Sequence, residues 1–272
     1  MNPIAPRAEG PWAFLGKGRI MKANVIGLLA VVVVLAVTGT AAQAVDFVLM
    51  DSEHLDVVAY HATGTLFNTS TADVLAGGSI QNAYVNGEAI LYVRSGGSVG
   101  DLYAYGSSTT NVAGGSVYEL NAYNTSNFDM SGGNVANHLY ARDSSSVDVS
   151  GGNIPYLYAH NSSSMDISGG SVSNLYATNT STITLHGNHF QSTAGLSLVE
   201  YDVIGGVPQY DVVGTGILAG KWADGTAWMI NVNQNDGGAT IQAVPEPAML
   251  SLLALGGLAL LRRRSPGRAS DD

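Results

Sequence analysis

The chain has 272 residues with 34 glycines, no cysteine, 12% charged residues and a formal net charge of −10. A charged content about half the globular average leaves stability to backbone ladders and apolar packing, with no help from disulfides. Between Val45 and Ala243, seventeen acidic residues stand against three basic ones, Arg94, Arg142 and Lys221; this argues against nucleic acid as a partner, because phosphate binding needs a basic face.

Residues 1–20 read as an upstream extension, with translation expected to start at Met21. From Met21 to Ala44, in "MKANVIGLLAVVVVLAVTGTAAQA", a lysine precedes an apolar run from Val25 to Val37, and the stretch closes on Ala42-Gln43-Ala44. That order is the pattern of a secretory signal peptide, with Ala42 and Ala44 as the small residues at the cleavage site. The thirteen-residue apolar core is short for an uncleaved anchor.

Residues 45–190 repeat. "LYARDSSSVDVSGG", "LYAHNSSSMDISGG" and "LYATNTSTITLHGN" begin at Leu139, Leu157 and Leu175. Glycine pairs at 77, 96, 114, 132, 151 and 169 keep the same period of 18 or 19 residues. A fixed short period signals a solenoid, in which each copy stacks on its neighbours. Within a copy, apolar residues alternate with polar ones: Met165 and Ile167 flank Asp166, and Leu175 and Ala177 flank Tyr176, which is strand periodicity. Ser168-Gly169-Gly170 and Asn161-Ser162-Ser163 are turn clusters. No stretch of this region carries a helical apolar stripe. The expected fold is all-β: a parallel β-helix of about seven coils, 18–19 residues each, closed by a C-terminal β cap and followed by a single hydrophobic helix.

Stacking at about 4.8 Å per coil predicts vertical columns of like residues. Leu102, Leu120, Leu139, Leu157 and Leu175 should form one inward column, and Ala104, Ala122, Ala141, Ala159 and Ala177 another. Asn124, Asp143, Asn161 and Asn179 should form a turn ladder, as amides do in stacked strands. Tyr84, Tyr103, Tyr140, Tyr158 and Tyr176 should form an outward column with a break at Asn121.

Residues 191–243 are expected to cap the array. "GTGILAGKWADGTAWMINVN" (214–233) reads as a hairpin turning at Asp224-Gly225-Thr226. Its large apolar residues, Trp222 and Trp228 among them, suit cover over the last coil's open edge better than a sugar-stacking site.

Residues 244–272 have three parts in order: Pro245-Glu246-Pro247, an apolar run from Ala248 to Leu261, and Arg262-Arg263-Arg264. This arrangement resembles the PEP-CTERM sorting signal of bacterial surface proteins. The resemblance implies recognition and cleavage by an exosortase at the membrane. Arginines inside and the mature domain outside satisfy the positive-inside rule, and a fourteen-residue apolar run suits a transient anchor.

Asp129, Asp148 and Asp166 share an outward position, and paired carboxylates are the machinery of glycosidases. A column that recurs with the fold is nevertheless what a solvated face produces, and the calcium-binding order of glycines before aspartate is absent, since the aspartate precedes the glycines here. Of the six histidines, only His186 and His189 stand close enough in sequence to suggest metal ligands, and no metal or cofactor is expected. The tyrosine column strengthens a sheet by cross-strand pairing and equally offers a strip for polysaccharide or a neighbouring protein. The function expected is that of a non-enzymatic structural or adhesive protein of the cell surface or extracellular matrix; the alternative is a polysaccharide lyase or hydrolase on the same fold.

Overall fold

A computed structural model describes residues 46–204, 206–234 and 238–246. In chain order the strands are β1 (Phe47–Leu49), β2 (His54–Val57), β3 (Tyr60–Leu66), β4 (Thr71–Val74), β5 (Ser79–Val85), β6 (Ile90–Arg94), β7 (Ser98–Ala104), β8 (Thr109–Ala122) and β9 (Asn127–Val135). They continue as β10 (His138–Ala141), β11 (Ser146–Ala159), β12 (Ser164–Ile167), β13 (Ser171–Ala177), β14 (Thr182–Ser192), β15 (Leu196–Ile204), β16 (Val207–Lys221), β17 (Ala227–Gln234) and β18 (Thr240–Pro245). Among the described residues there is no helix. The hydrophobic helix expected after Pro247 lies outside them.

The fold is a β-solenoid of about seven turns. One parallel stack runs β1, β3, β5, β7, the second half of β8, β10, the second half of β11, and β13. The other runs β2, β4, β6, the first half of β8, β9, the first half of β11, β12 and β14. Both inward columns form as the period requires. Leu102 pairs with Leu120, then Leu139, Leu157 and Leu175, all at 0% exposure, and the alanines one pleat along are buried beside them. A third inward column holds Ser70, Ser108, Ser126, Ser145, Ser163 and Ser181, with Ala89 and Ala239 in the same position.

Two features turn the chain. Asn68, Asn124, Asp143, Asn161 and Asn179 all adopt positive φ near 60°, which short polar side chains tolerate because they can bond locally. Their side chains link coil to coil: Asn179 Nδ2 donates to Asn161 Oδ1 (3.1 Å), Asn161 Nδ2 to Asp143 Oδ1 (3.2 Å), and the Asn124 amide N–H to Asp143 Oδ2 (3.0 Å). At the opposite turn glycine is required by space. A Cβ on Gly97 would lie 2.2 Å from Val74 O, and one on Gly133 would lie 2.1 Å from Gly115 O.

The array does not end with β14. β15 and β16 leave as an antiparallel hairpin. The chain then returns to add one more parallel coil, β17 on β13 and β18 on β14. β16 runs antiparallel to both new strands, pairing Thr215–Lys221 with β17 and Tyr210–Asp211 with β18, so it covers the outer edge of the last coil. The β16–β17 turn falls at Asp224–Thr226. Trp222 and Trp228 stack at 4.8 Å and are 3% and 8% exposed. Trp222 Nε1 donates to Gly170 O at 2.8 Å. The two indoles close the core and offer no face for a sugar.

Candidate functional site: an aromatic face and a sorting tail

The stack that buries the leucine and alanine columns turns its alternate residues outward. Tyr84 lies beside Tyr103, then Asn121, Tyr140, Tyr158 and Tyr176 in one register. Ring centroids are 5.2 Å apart for Tyr84–Tyr103, 4.8 Å for Tyr140–Tyr158 and 4.5 Å for Tyr158–Tyr176, with planes within 22° of parallel. Rings stacked along the solenoid axis spend their faces on each other. What they turn to solvent is edges and phenolic hydroxyls, so the strip is not the flat aromatic platform that sugar stacking uses. Burial is the main cause that pushes the phenols of Tyr103, Tyr140 and Tyr158 above their ordinary range, helped at Tyr103 by the Asp101 charge and at Tyr158 by Tyr176.

A second outward column, not singled out from the sequence, runs alongside. Tyr105, Tyr123, Arg142, His160 and Thr178 each follow an inward alanine, and their amides bond to the preceding coil. Tyr105 and Tyr123 stack at 5.0 Å. The Arg142 guanidinium lies over Tyr140 (4.6 Å) and Tyr123 (5.2 Å) and donates from Nη1 to Asn121 Oδ1 (2.9 Å) and to the Tyr123 hydroxyl (2.5 Å). His160 bonds Thr178 Oγ1 at 2.8 Å, and its imidazole is pushed down chiefly by burial and then by Arg142. The periodic signal was available: the residue after each column alanine is aromatic or basic four times running. Its chemistry changes from coil to coil, which hid it.

The break at Asn121 is thus filled. Asn121 is 4% exposed, and its Nδ2 donates to Glu119 Oε1 (3.2 Å), while Asn137 Nδ2 donates to Glu119 Oε2 (3.1 Å). His138 Nδ1 lies 3.6 Å from the same oxygen and its ring packs against Tyr140, Tyr156 and Tyr158. Ten or so aromatic and basic side chains therefore share one face, organised around a small polar knot.

The remaining candidates stay apart from this face. Asp129, Asp148 and Asp166 pair in one column on the other stack. Burial, followed by the charges of Asp129 and Asp166, holds the Asp148 carboxyl above its ordinary value. His186 Nε2 reaches Asp166 Oδ1 at 3.1 Å, whereas His189 is exposed at positive φ, so the two histidines do not form a shared site. His54, Asp56 and Asp73 bring ligand-type atoms within 4.8 Å of one another, but Arg94 Nε already occupies Asp73 Oδ1 at 2.6 Å.

The tail begins inside the fold. β18 pairs with β14 through Ala243–Leu185, Val244–His186 and Pro245–Gly187, and the Glu246 amide donates to Gly187 O at 3.0 Å. Thr240 and Glu246 turn their N–H groups toward β14, so Pro245, an odd step away, has its missing N–H on the outer side where no bond to β14 is lost. Residues 243–265 match the family described as the PEP-CTERM protein-sorting motif. The chain carries that sorting signal. The motif is a substrate signal for exosortase processing and marks a chain that crosses the membrane for the cell surface. No curated protein and no solved structure matches the chain. Ala42, Ala44, Pro247 and Arg262–Arg264 lie outside the described residues.

Proposed function

We propose that the mature protein is a structural or adhesive element of the cell surface or extracellular matrix, delivered by its sorting signal and touching its partner through the aromatic face. The carrying observation is the row of tyrosine edges and hydroxyls, in two coils before Asn121 and three after it, beside the Arg142 column. A repeated row of hydrogen-bonding groups matches a partner that itself repeats, and exopolysaccharide is such a partner. Contact is spread over several weak positions, which suits adhesion by multivalency.

The test is retention of the protein on immobilised neutral and acidic polysaccharides. Changing Tyr140, Tyr158 and Tyr176 to Phe keeps the stack and deletes the hydroxyls. Graded loss of retention with intact β-sheet circular dichroism supports the reading, and retention equal to the parent's refutes it. Release of reducing sugar or unsaturated product in the same samples would favour a carbohydrate-active enzyme instead.

A further inference from the structure

The apolar run of the tail opens at Ala248, two residues beyond Glu246. A chain inserted through that run, before processing, must hold its last coil close against the bilayer. The β15–β16 hairpin stands beside this exit. Tyr210 and Asp211 pair antiparallel with Ala243 and Gln242, so β16 followed back toward its turn runs in the direction that β18 takes toward the tail. Continued in that register, Pro208 comes abreast of Pro245 and Val207 abreast of Glu246.

The sequence from the end of β15 to the start of β16, Val203-Ile204-Gly205-Gly206-Val207-Pro208, carries no charge. Val203 is 51% exposed and Ile204 62%, with Tyr201 at 44% just behind. Such a tip is out of keeping with a chain whose mature segment is strongly acidic. Of the hairpin's acidic residues, Glu200 and Asp211 sit farther back along the strands, while Asp202 adjoins Val203 and pairs opposite Gln209, its Oδ1 accepting from the Val203 amide at 2.8 Å.

We propose that this hairpin tip is a membrane-contact surface. While the tail is inserted, Val203, Ile204 and Val207 lie in the interfacial layer of the leaflet facing the solenoid, with Tyr201 at headgroup level. The occupant is lipid because the tip lies level with the end of β18 and points in the direction of that strand, from which the apolar run follows two residues later in the sequence, and a small apolar loop gains by burial there. The contact is temporary: once the tail is cut, an apolar tip of three residues alone is too small to retain an acidic protein. The inference rests on the tail acting as a membrane segment.

The absence of cysteine allows a direct test. The full chain carrying Ile204→Cys, or Ser162→Cys on a solenoid turn as control, is labelled with an environment-sensitive fluorophore and reconstituted into phosphatidylcholine vesicles containing a lipid-borne quencher. Severalfold stronger quenching at position 204 than at 162 is expected, and adding Val203→Asp should abolish the difference while the chain still floats with the vesicles through its tail. Flotation with position 204 as water-exposed as 162, or a Val203→Asp chain quenched like its parent, overturns the contact alone. Quenching that follows protein-to-lipid ratio would mean pairing between the β15 edges of two copies, and overturns it too. A parent chain that does not float overturns both the tail reading and the contact drawn from it.

Discussion

The inward serine column makes a prediction that runs against the usual cost of core mutations. Ser145 is buried at 0%, and its Oγ has no hydrogen-bond partner; the same holds for Ser108 and Ser126, and for Ser163 at 1%. A buried hydroxyl without a partner costs about 1–3 kcal/mol by mutational measures. Ser145→Ala removes only that oxygen, keeps Cβ in place and leaves a void smaller than a methyl group, so lost packing offsets only part of the gain. Ala89 and Ala239 already occupy the position. The expected result is stabilisation of about 1 kcal/mol, or roughly 2–4 °C in Tm for a unit of this size. Ser181 belongs to the same column, but its Oγ lies 2.9 Å from Thr178 O and 3.2 Å from Ala159 O. Ser181→Ala should therefore destabilise by about 1 kcal/mol. Urea unfolding of both variants, compared at equal m-value, decides the matter. Loss of stability in Ser145→Ala comparable to that in Ser181→Ala would show that the hydroxyls are satisfied, by a buried water or by each other, and would refute the reasoning.

Leu157→Ala, in the centre of the leucine column, should cost roughly 2–5 kcal/mol, while Asp166→Ala on the outer face should cost well under that; equal losses in urea would mean the faces are reversed. Asp148 is held above the ordinary carboxylate value of 3.8, so the folded state keeps its proton to higher pH than the unfolded chain and stability falls as pH rises through that raised value. Asp148→Asn should then stabilise at pH 7 by about 0.2–1 kcal/mol, and the gain should vanish below the ordinary carboxylate pKa; a gain independent of pH would point to packing rather than charge. In a host with an exosortase, the parent should lose its tail and leave the membrane fraction, whereas replacement of Glu246 should leave an unprocessed, membrane-retained chain. Identical mass and fractionation for the two would remove the processing claim.

The sequence alone determined the period, the strand character and the sorting of residues into inward and outward columns. It could do so because a solenoid coil contacts only copies of itself, so Leu157 and Tyr158 meet Leu175 and Tyr176 by construction, and a column can be read by aligning the repeats. The three-part tail was legible for a different reason: its order along the chain is itself the signal. The orientation of the tyrosine rings, faces inward upon one another and edges to solvent, was not legible, because alternation says which way a side chain leaves the backbone and nothing about how its ring turns. The polar knot at Asn121 depends on Arg142 reaching back across a coil to it, a contact that only the stacking geometry creates. Least legible was the last coil. β17 lies on β13 with Asn231 opposite Asn174, after a hairpin excursion that belongs to no repeat. Such a pairing leaves no periodic trace, and only tertiary packing, the need to cover the open leucine and alanine columns, decides where that strand goes.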